Sequence, residues 1–224
     1  MLARDMATLP TPESYPETTL PIGCCSAIGR DRLGTELVAF GRRRPDVLVG
    51  VHEMGRTDLL ASLRAGEIAL GLLPGDPDPG FRSAELWPDR ALIALPRRHP
   101  LANAGTFPPE AAQGLLFLVS RRSAGAEVHR FLSRRLFGEG ACLQSDMRDC
   151  GLGRILNLVA DGQGAALLCD SHDYPARAEV ALLPVAHARA RFGVHAHWAE
   201  QRCDASLTAL LGQFRQEFRT GVQP

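Results

Sequence analysis

Between residues 49 and 73 the order "VGVHEMGRTDLLASLRAGEIALGLL" sets an apolar run, a glycine break, leucines at 59, 60 and 63, a second glycine and another apolar run. This pattern predicts strand, helix, strand, with Gly55 ending the first strand, Thr57 as the helix N-cap and Gly66 closing the helix. A unit of this length predicts a parallel, right-handed crossover, and such sheets bind ligands beyond the carboxyl ends of their strands. Arg56 and Thr57 then stand at the ligand end.

The same grammar extends both ways along the chain. Upstream, "LPIGCCSA" predicts a short strand and "GRDRLGTELVAFGRRRP" a helix whose Leu33, Leu37 and Phe40 share a face and which Pro45 stops. Downstream, "RALIALP" predicts a strand ending at Pro96. After "RRHPLA" the pattern restarts: "GLLFLVS" reads as a strand, "AEVHRFLSRRLFG" as a helix with Val128, Phe131, Leu132 and Leu136 inward, and "ACLQS" as a strand. "GLGRILNLVADGQG" predicts a helix with Leu152, Ile155, Leu156 and Val159 on one side. "AALLC", "VALLP" and the alternating "RFGVHAHW" predict strands, and Leu207, Leu210, Leu211, Phe214 and Phe218 mark a last amphipathic helix. Residues 1–19, with Pro10, Pro12 and Pro16, read as a tail or linker. The sum is two similar α/β units in series plus a terminal strand and helix.

Composition adds constraints. The 224 residues are 45% hydrophobic and 22% charged, enough for one large core or two small ones. Lys+Arg and Asp+Glu are equal at 25 each, so no bulk positive field favours non-specific nucleic-acid binding. The positive charge is all arginine, whose planar fork suits bidentate pairing with anions. No apolar run resembles a signal peptide or reaches the roughly 20 residues of a membrane span, so the expectation is a cytoplasmic protein without membrane contact. Six cysteines (24, 25, 142, 150, 169 and 203) show no metal spacing and are expected to be small buried hydrophobes.

Several pieces, "LPIG", "AFGRRRPDVLVGVHEMG", "LLASLRAGEIALGLL", "LIALPRRHPLA" and "LNLVADGQGAALL", resemble the effector-binding domain of LysR-type transcriptional regulators, in the family's order over about residues 20 to 220. "HEMG" is similar to members that sense aromatic-catabolism intermediates such as muconates. The resemblance implies an α/β, type 2 periplasmic-binding-protein-like fold: residues 20–97 plus 190–220 form subdomain I, 98–189 form subdomain II, and two crossover strands join them near Arg97 and Arg191. It further implies a small-molecule sensor with no catalytic work and no cofactor. The family pairs its subdomains head to tail through the helices at 30–43 and 126–137, so a homodimer or homotetramer is expected. DNA would be reached only through a winged helix-turn-helix, which would precede Leu20 and is absent from this chain. One departure is local: Leu168, Cys169 and Asp170 stand where the family often has Leu-Pro.

Carried over position by position, the family's cleft takes Ser26 and Ala27 from the first loop, Arg56 and Thr57 from the second, and Ser120, Arg121 and Arg122 from the opposite subdomain. All three loops precede helices, and hydroxyls, arginines and free N–H groups at helix N-termini make an anion site. The effector is therefore expected to be a small anionic metabolite. The aromatic-acid sensors carry a small hydroxyl residue where this chain has Arg56, which argues for a different or more acidic effector. Arg56 as a solvated arginine, or one paired to Glu53 or Asp58, is the alternative. His195 and His197 share a strand face and are a possible metal pair, although no third ligand is visible and a solvent-facing pair is the favoured reading. Cys142 and Cys150 match the peroxide-sensing members poorly. An enzyme on this fold, such as a dehydratase, would need a Thr-Arg-Phe cluster that "SRRS" does not supply, and a solute-binding receptor would need export.

Overall fold

The computed structural model describes residues 18–25, 28, 30–122, 125–140, 143–171 and 177–219. In chain order these form β1 (Thr18–Cys25), α1 (Arg30–Arg43), β2 (Val47–Met54), α2 (Arg56–Ala65), β3 (Leu70–Pro74), β4 (Arg82–Pro96), β5 (Leu116–Ser120), α3 (Gly125–Phe137), β6 (Gln144–Arg148), α4 (Leu152–Ala160), β7 (Ala166–Cys169), β8 (Val180–Pro184), β9 (Arg191–Trp198) and α5 (Ala205–Arg219). Among the described residues no helix is long and apolar enough to cross a membrane.

The main sheet runs β2-β1-β3-β9-β4-β7, with β8 also paired to β4, while β5 and β6 form a parallel pair. β1 pairs parallel with both β2 and β3, so the strand-helix-strand unit around α2 is the expected parallel crossover, with β1 lying between its two strands. β9 runs antiparallel to β3 and β4. The long β4 serves two neighbourhoods. Arg82 to Arg90 pair with β9, and Ala91 to Pro96 pair with β7 and β8. The change of partner falls between Arg90 and Ala91, earlier in the chain than Arg97, and β9 begins at Arg191.

A buried carboxylate sits at that change of partner. Asp89 accepts hydrogen bonds from the Arg90 and Ser171 backbone N–H groups at 2.7 and 3.1 Å and from the Ser171 hydroxyl at 2.6 Å. Next to it, Arg90 donates to Asp170 at 2.7 Å.

α2 docks on β1 and β3 through Leu59, Leu60 and Leu63, all buried; each is worth about 1.5–3 kcal/mol of apolar transfer. Two glycines make room for it. A Cβ on Gly71 would lie 2.7 Å from Leu63 Cδ1, and one on Gly23 would lie 3.2 Å from Leu59 Cγ and 2.6 Å from Ile68 Cδ1, just beyond the helix. Gly66 ends the helix in the left-handed region (φ 76°), donating to Leu63 and Ser62 as a cap. The N-terminus differs from expectation. Gly55 holds the N-cap position, Arg56 is the first helical residue, and Thr57 caps nothing.

The strand expected at "ACLQS" lies further on, at Gln144–Arg148, while Cys142 falls outside the described residues. The histidine pair is not solvent-facing: His197 is fully buried and only 12% of the His195 side chain is exposed. His197 Nε2 accepts the Asp78 N–H at 3.1 Å, which leaves Nδ1–H to donate to the His195 carbonyl at 3.3 Å. Burial holds the His197 imidazole below the usual histidine value. No group of three metal-ligating side chains occurs among the described residues.

Candidate functional site

The carboxyl ends of β1 and β3, the first turn of α2 and one face of α3 enclose an open hollow of about 690 Å³. Cys25, Pro74 and Asp76 form one wall with Arg56 and Thr57. Glu127, Arg130, Phe131 and Arg134 line the other from α3, with Arg135 and Arg189 beside them. That volume lies within the range of small-molecule sites.

Each helix brings its chemistry by its periodicity. In α3 the apolar Val128, Leu132 and Leu136 are buried at a spacing of four residues. Rotated from them, Glu127, Arg130 and Arg134 recur at three and four residues and meet the hollow. In α2 the first internal helix bond runs from the Leu59 N–H to the Gly55 carbonyl at 2.9 Å, so earlier N–H groups must find partners outside the helix. The Arg56 N–H finds Glu127, whose Oε1 accepts it at 2.6 Å.

The arginines divide by their partners. Arg135 is a strut: it donates to Asp76 at 3.3 Å, to the Arg189 carbonyl at 2.8 Å and to the Arg191 carbonyl at 3.3 Å, and lies 5.6 Å over the Phe192 ring. Arg134 is held by Glu139. Among the described residues the Arg56 guanidinium reaches the Pro74 and Asp76 carbonyls, at 3.4 and 3.5 Å, and shows no pairing with Glu53 or Asp58. Among the described residues, Arg56, Arg130 and Arg189 have no carboxylate partner. The lining thus sets five arginines against the carboxylates of Asp76, Glu127 and Glu139, with the first turn of α2 at one side and α3 along the other.

Of the residues singled out from the sequence, Arg56 and Thr57 line this hollow. Ser26 and Ala27 lie outside the described residues. Ser120, Arg121 and Arg122 are not part of its lining. Ser120 is buried, and its hydroxyl lies 2.6 Å from the Cys150 carbonyl and 2.8 Å from the Arg122 carbonyl, which uses it in the turn after β5. Arg122 is exposed and donates to Asp149 at 2.9 Å; that contact holds the Asp149 carboxyl below its usual value. The Arg121 N–H donates to the Arg148 carbonyl, and its side chain is exposed. The α3 face was missed, although the spacing of Glu127, Arg130 and Arg134 signals a charged stripe beside the apolar one.

The cysteines are less uniform than expected. Cys24, Cys25 and Cys169 are buried, Cys150 is half-buried and Cys203 is exposed. Burial pushes the Cys169 thiol well up, with Asp89 and Cys25 acting in the same direction, so it carries little thiolate and is poorly suited to redox chemistry.

Comparison with known proteins gives a consistent placement. No curated protein matches the chain in sequence. Among solved structures, the BenM effector binding domain with its effector benzoate superposes with a TM-score of 0.72 at 18% identity, covering 94% of this chain and 97% of that one. The reduced form of the OxyR regulatory domain from Pseudomonas aeruginosa gives 0.68 at 16% identity, over 91% of this chain and 98% of that one. The C-terminal domain of a probable LysR family transcriptional regulator from Rhodococcus sp. RHA1 gives 0.70 at 20% identity, over 88% and 98%. These likenesses establish the type 2 periplasmic-binding-protein-like fold. Residues 13–219 match the family described as the LysR substrate binding domain, and the chain belongs to that family of effector-binding domains of transcriptional regulators.

Proposed function

We propose that this domain senses a small anionic metabolite in the hollow between α2 and α3, and that the two halves flanking it, about residues 20–97 with 190–220 and 98–189, close on the ligand. The observation that carries the reading is that Arg56, in the first turn of α2, Arg130 of α3 and Arg189 line one hollow without carboxylate partners among the described residues. A carboxylate placed there would meet fixed dipoles and planar forks together. Phe131, half-buried on the same wall, offers an apolar surface for the rest of the ligand. The domain works in the cytoplasm as a homodimer or homotetramer and acts on DNA through a separate winged helix-turn-helix. Of the seven residues expected from the sequence, Arg56 and Thr57 are retained, Ser26 and Ala27 remain part of the proposal, and Arg130 and Arg189 are favoured over Ser120, Arg121 and Arg122.

The test is a thermal-shift screen of small carboxylic acids, followed by calorimetry on the best binder. Arg56→Ala is expected to weaken it by roughly ten- to a hundredfold, since a hydrogen bond to a charged group is worth about 1.5–3 kcal/mol. Equal affinities for parent and variant would remove Arg56 from the site.

A further inference from the structure

Glu127 lies in the first turn of α3, and its carboxylate accepts the N–H of Arg56 from the first turn of α2 at 2.6 Å. One side chain of the protein thus occupies the place where the positive ends of two helix dipoles meet. It is placed over the turn itself: a Cβ on Gly55 would lie 3.6 Å from each of its oxygens. The arginines do not account for its position. Arg134 and Arg135 have carboxylates of their own in Glu139 and Asp76, and Glu127 has no guanidinium partner among the described residues. A carboxylate that passes over Arg56, Arg130 and Arg189 to sit on backbone N–H marks that seat as the preferred anion position in the hollow.

We infer that Glu127 is a built-in stand-in for the acidic group of the effector, so that an effector carboxylate binds by displacing it from the N-terminus of α2. This rests on the reading of the hollow as an anion site and adds that its best seat is already taken. Three consequences follow from the geometry. Affinity for an acid is reduced by competition from a tethered carboxylate. Neutral analogues have no means of displacing it. The direct link between α2 and α3 breaks when the ligand enters, which couples occupancy to the relation between the halves.

The experiment measures benzoate and succinate binding to the intact chain by calorimetry, with methyl benzoate as the uncharged control. The variants are Glu127→Gln, which keeps the shape without the charge, Glu127→Ala and Arg56→Ala, each checked for native circular dichroism. The expected result is that Glu127→Gln and Glu127→Ala bind at least one of the acids roughly ten- to a hundredfold tighter than the parent, the size of one charge-assisted hydrogen bond, with no gain for the ester. If the parent binds an acid, Arg56→Ala weakens it, and both Glu127 variants bind as the parent does or more weakly, the anion site stands and the displacement idea is overturned. An equal gain for the ester overturns it too, because the effect is then one of space. No binding of either acid to any of these proteins at millimolar concentration overturns the anion reading and the inference together. Should Glu127→Ala not fold, the near-isosteric Glu127→Gln carries the decision alone.

Discussion

At the scale of single residues, buried polar groups decide most of the local structure. His197 is held neutral because Nε2 must accept the Asp78 N–H, and burial lowers its pKa from the ordinary histidine value, with Arg56 and His195 pushing the same way and Asp78 and the His195 carbonyl opposing. A depressed pKa in the folded state means that the unfolded chain binds the proton first, so the stabilisation is complete above about pH 6.5 and is lost as pH falls through the folded value. His197→Gln preserves an acceptor for the Asp78 N–H and removes the titration. Melting temperatures measured on either side of about pH 6.5 should therefore fall less on acidification in this variant than in the parent. Identical slopes would show that His197 takes no part. A second residue-scale expectation concerns Asp89, whose three accepted hydrogen bonds fix the point where β4 changes partners. Asp89→Ala strands the Ser171 N–H and hydroxyl in a buried place and should cost about 1–3 kcal/mol in urea unfolding. A loss of only a few tenths would mean that water replaces the carboxylate there.

At the scale of elements, α2 shows how glycine spacing on strands sets the approach of a helix. Gly71→Ala puts a methyl group into Leu59 and Leu63, and overpacking of this kind costs about 1–3 kcal/mol. The urea midpoint should drop with the slope unchanged, whereas an unaltered midpoint would mean that the leucines repack freely. The docking face was legible because Leu59, Leu60 and Leu63 recur with helical spacing, and Gly66 was legible as a cap because its position requires positive φ. β6 was misplaced for a physical reason. Its residues Gln144 to Arg148 are exposed or half-buried, so no hydrophobic pattern marks them. Thr57 was read as a cap because local chemistry favours it, but the donor at that helix end is met by Glu127, 71 positions away in sequence. No local rule contains that contact. The surroundings of Ser120 are equally non-local, since its hydroxyl lies within hydrogen-bond reach of the Cys150 carbonyl, 30 positions away, as well as that of Arg122. The part of the hollow's lining that α2 carries, Arg56 and Thr57, was thus legible in the sequence, while the part that α3 carries depends on how the two units face each other.

At the scale of the whole molecule, the outer edges carry apolar side chains that the monomer leaves in water. On one edge stand Val38 of α1 and Leu48 and Val51 of β2, exposed by 58%, 51% and 46%. On the other stand Leu116 of β5 and Met147 of β6, the latter on a strand that, among the described residues, pairs with β5 alone. β2 ends the main sheet and β6 the smaller one; α1 packs on β2, and α3 packs on β5 and reaches β6 through the His129–Ser145 hydrogen bond at 3.0 Å. A head-to-tail dimer would set the α1 and β2 edge of one copy against the α3 and β6 edge of the other, and two-fold symmetry would make that contact twice. A glutamate at position 38 would then be buried without a partner in both copies, at a cost of about 3–5 kcal/mol for each uncompensated charge. Sedimentation equilibrium should accordingly show the parent as a dimer or tetramer at micromolar concentration and Val38→Glu as a monomer, a weakening of at least about a hundredfold. Because Val38 is an exposed helix position in the single chain, the substitution should leave the monomer's own stability within about 0.5 kcal/mol. A parent that sediments as a monomer, or a Val38→Glu protein that associates as tightly as the parent, would place the interface elsewhere or remove it.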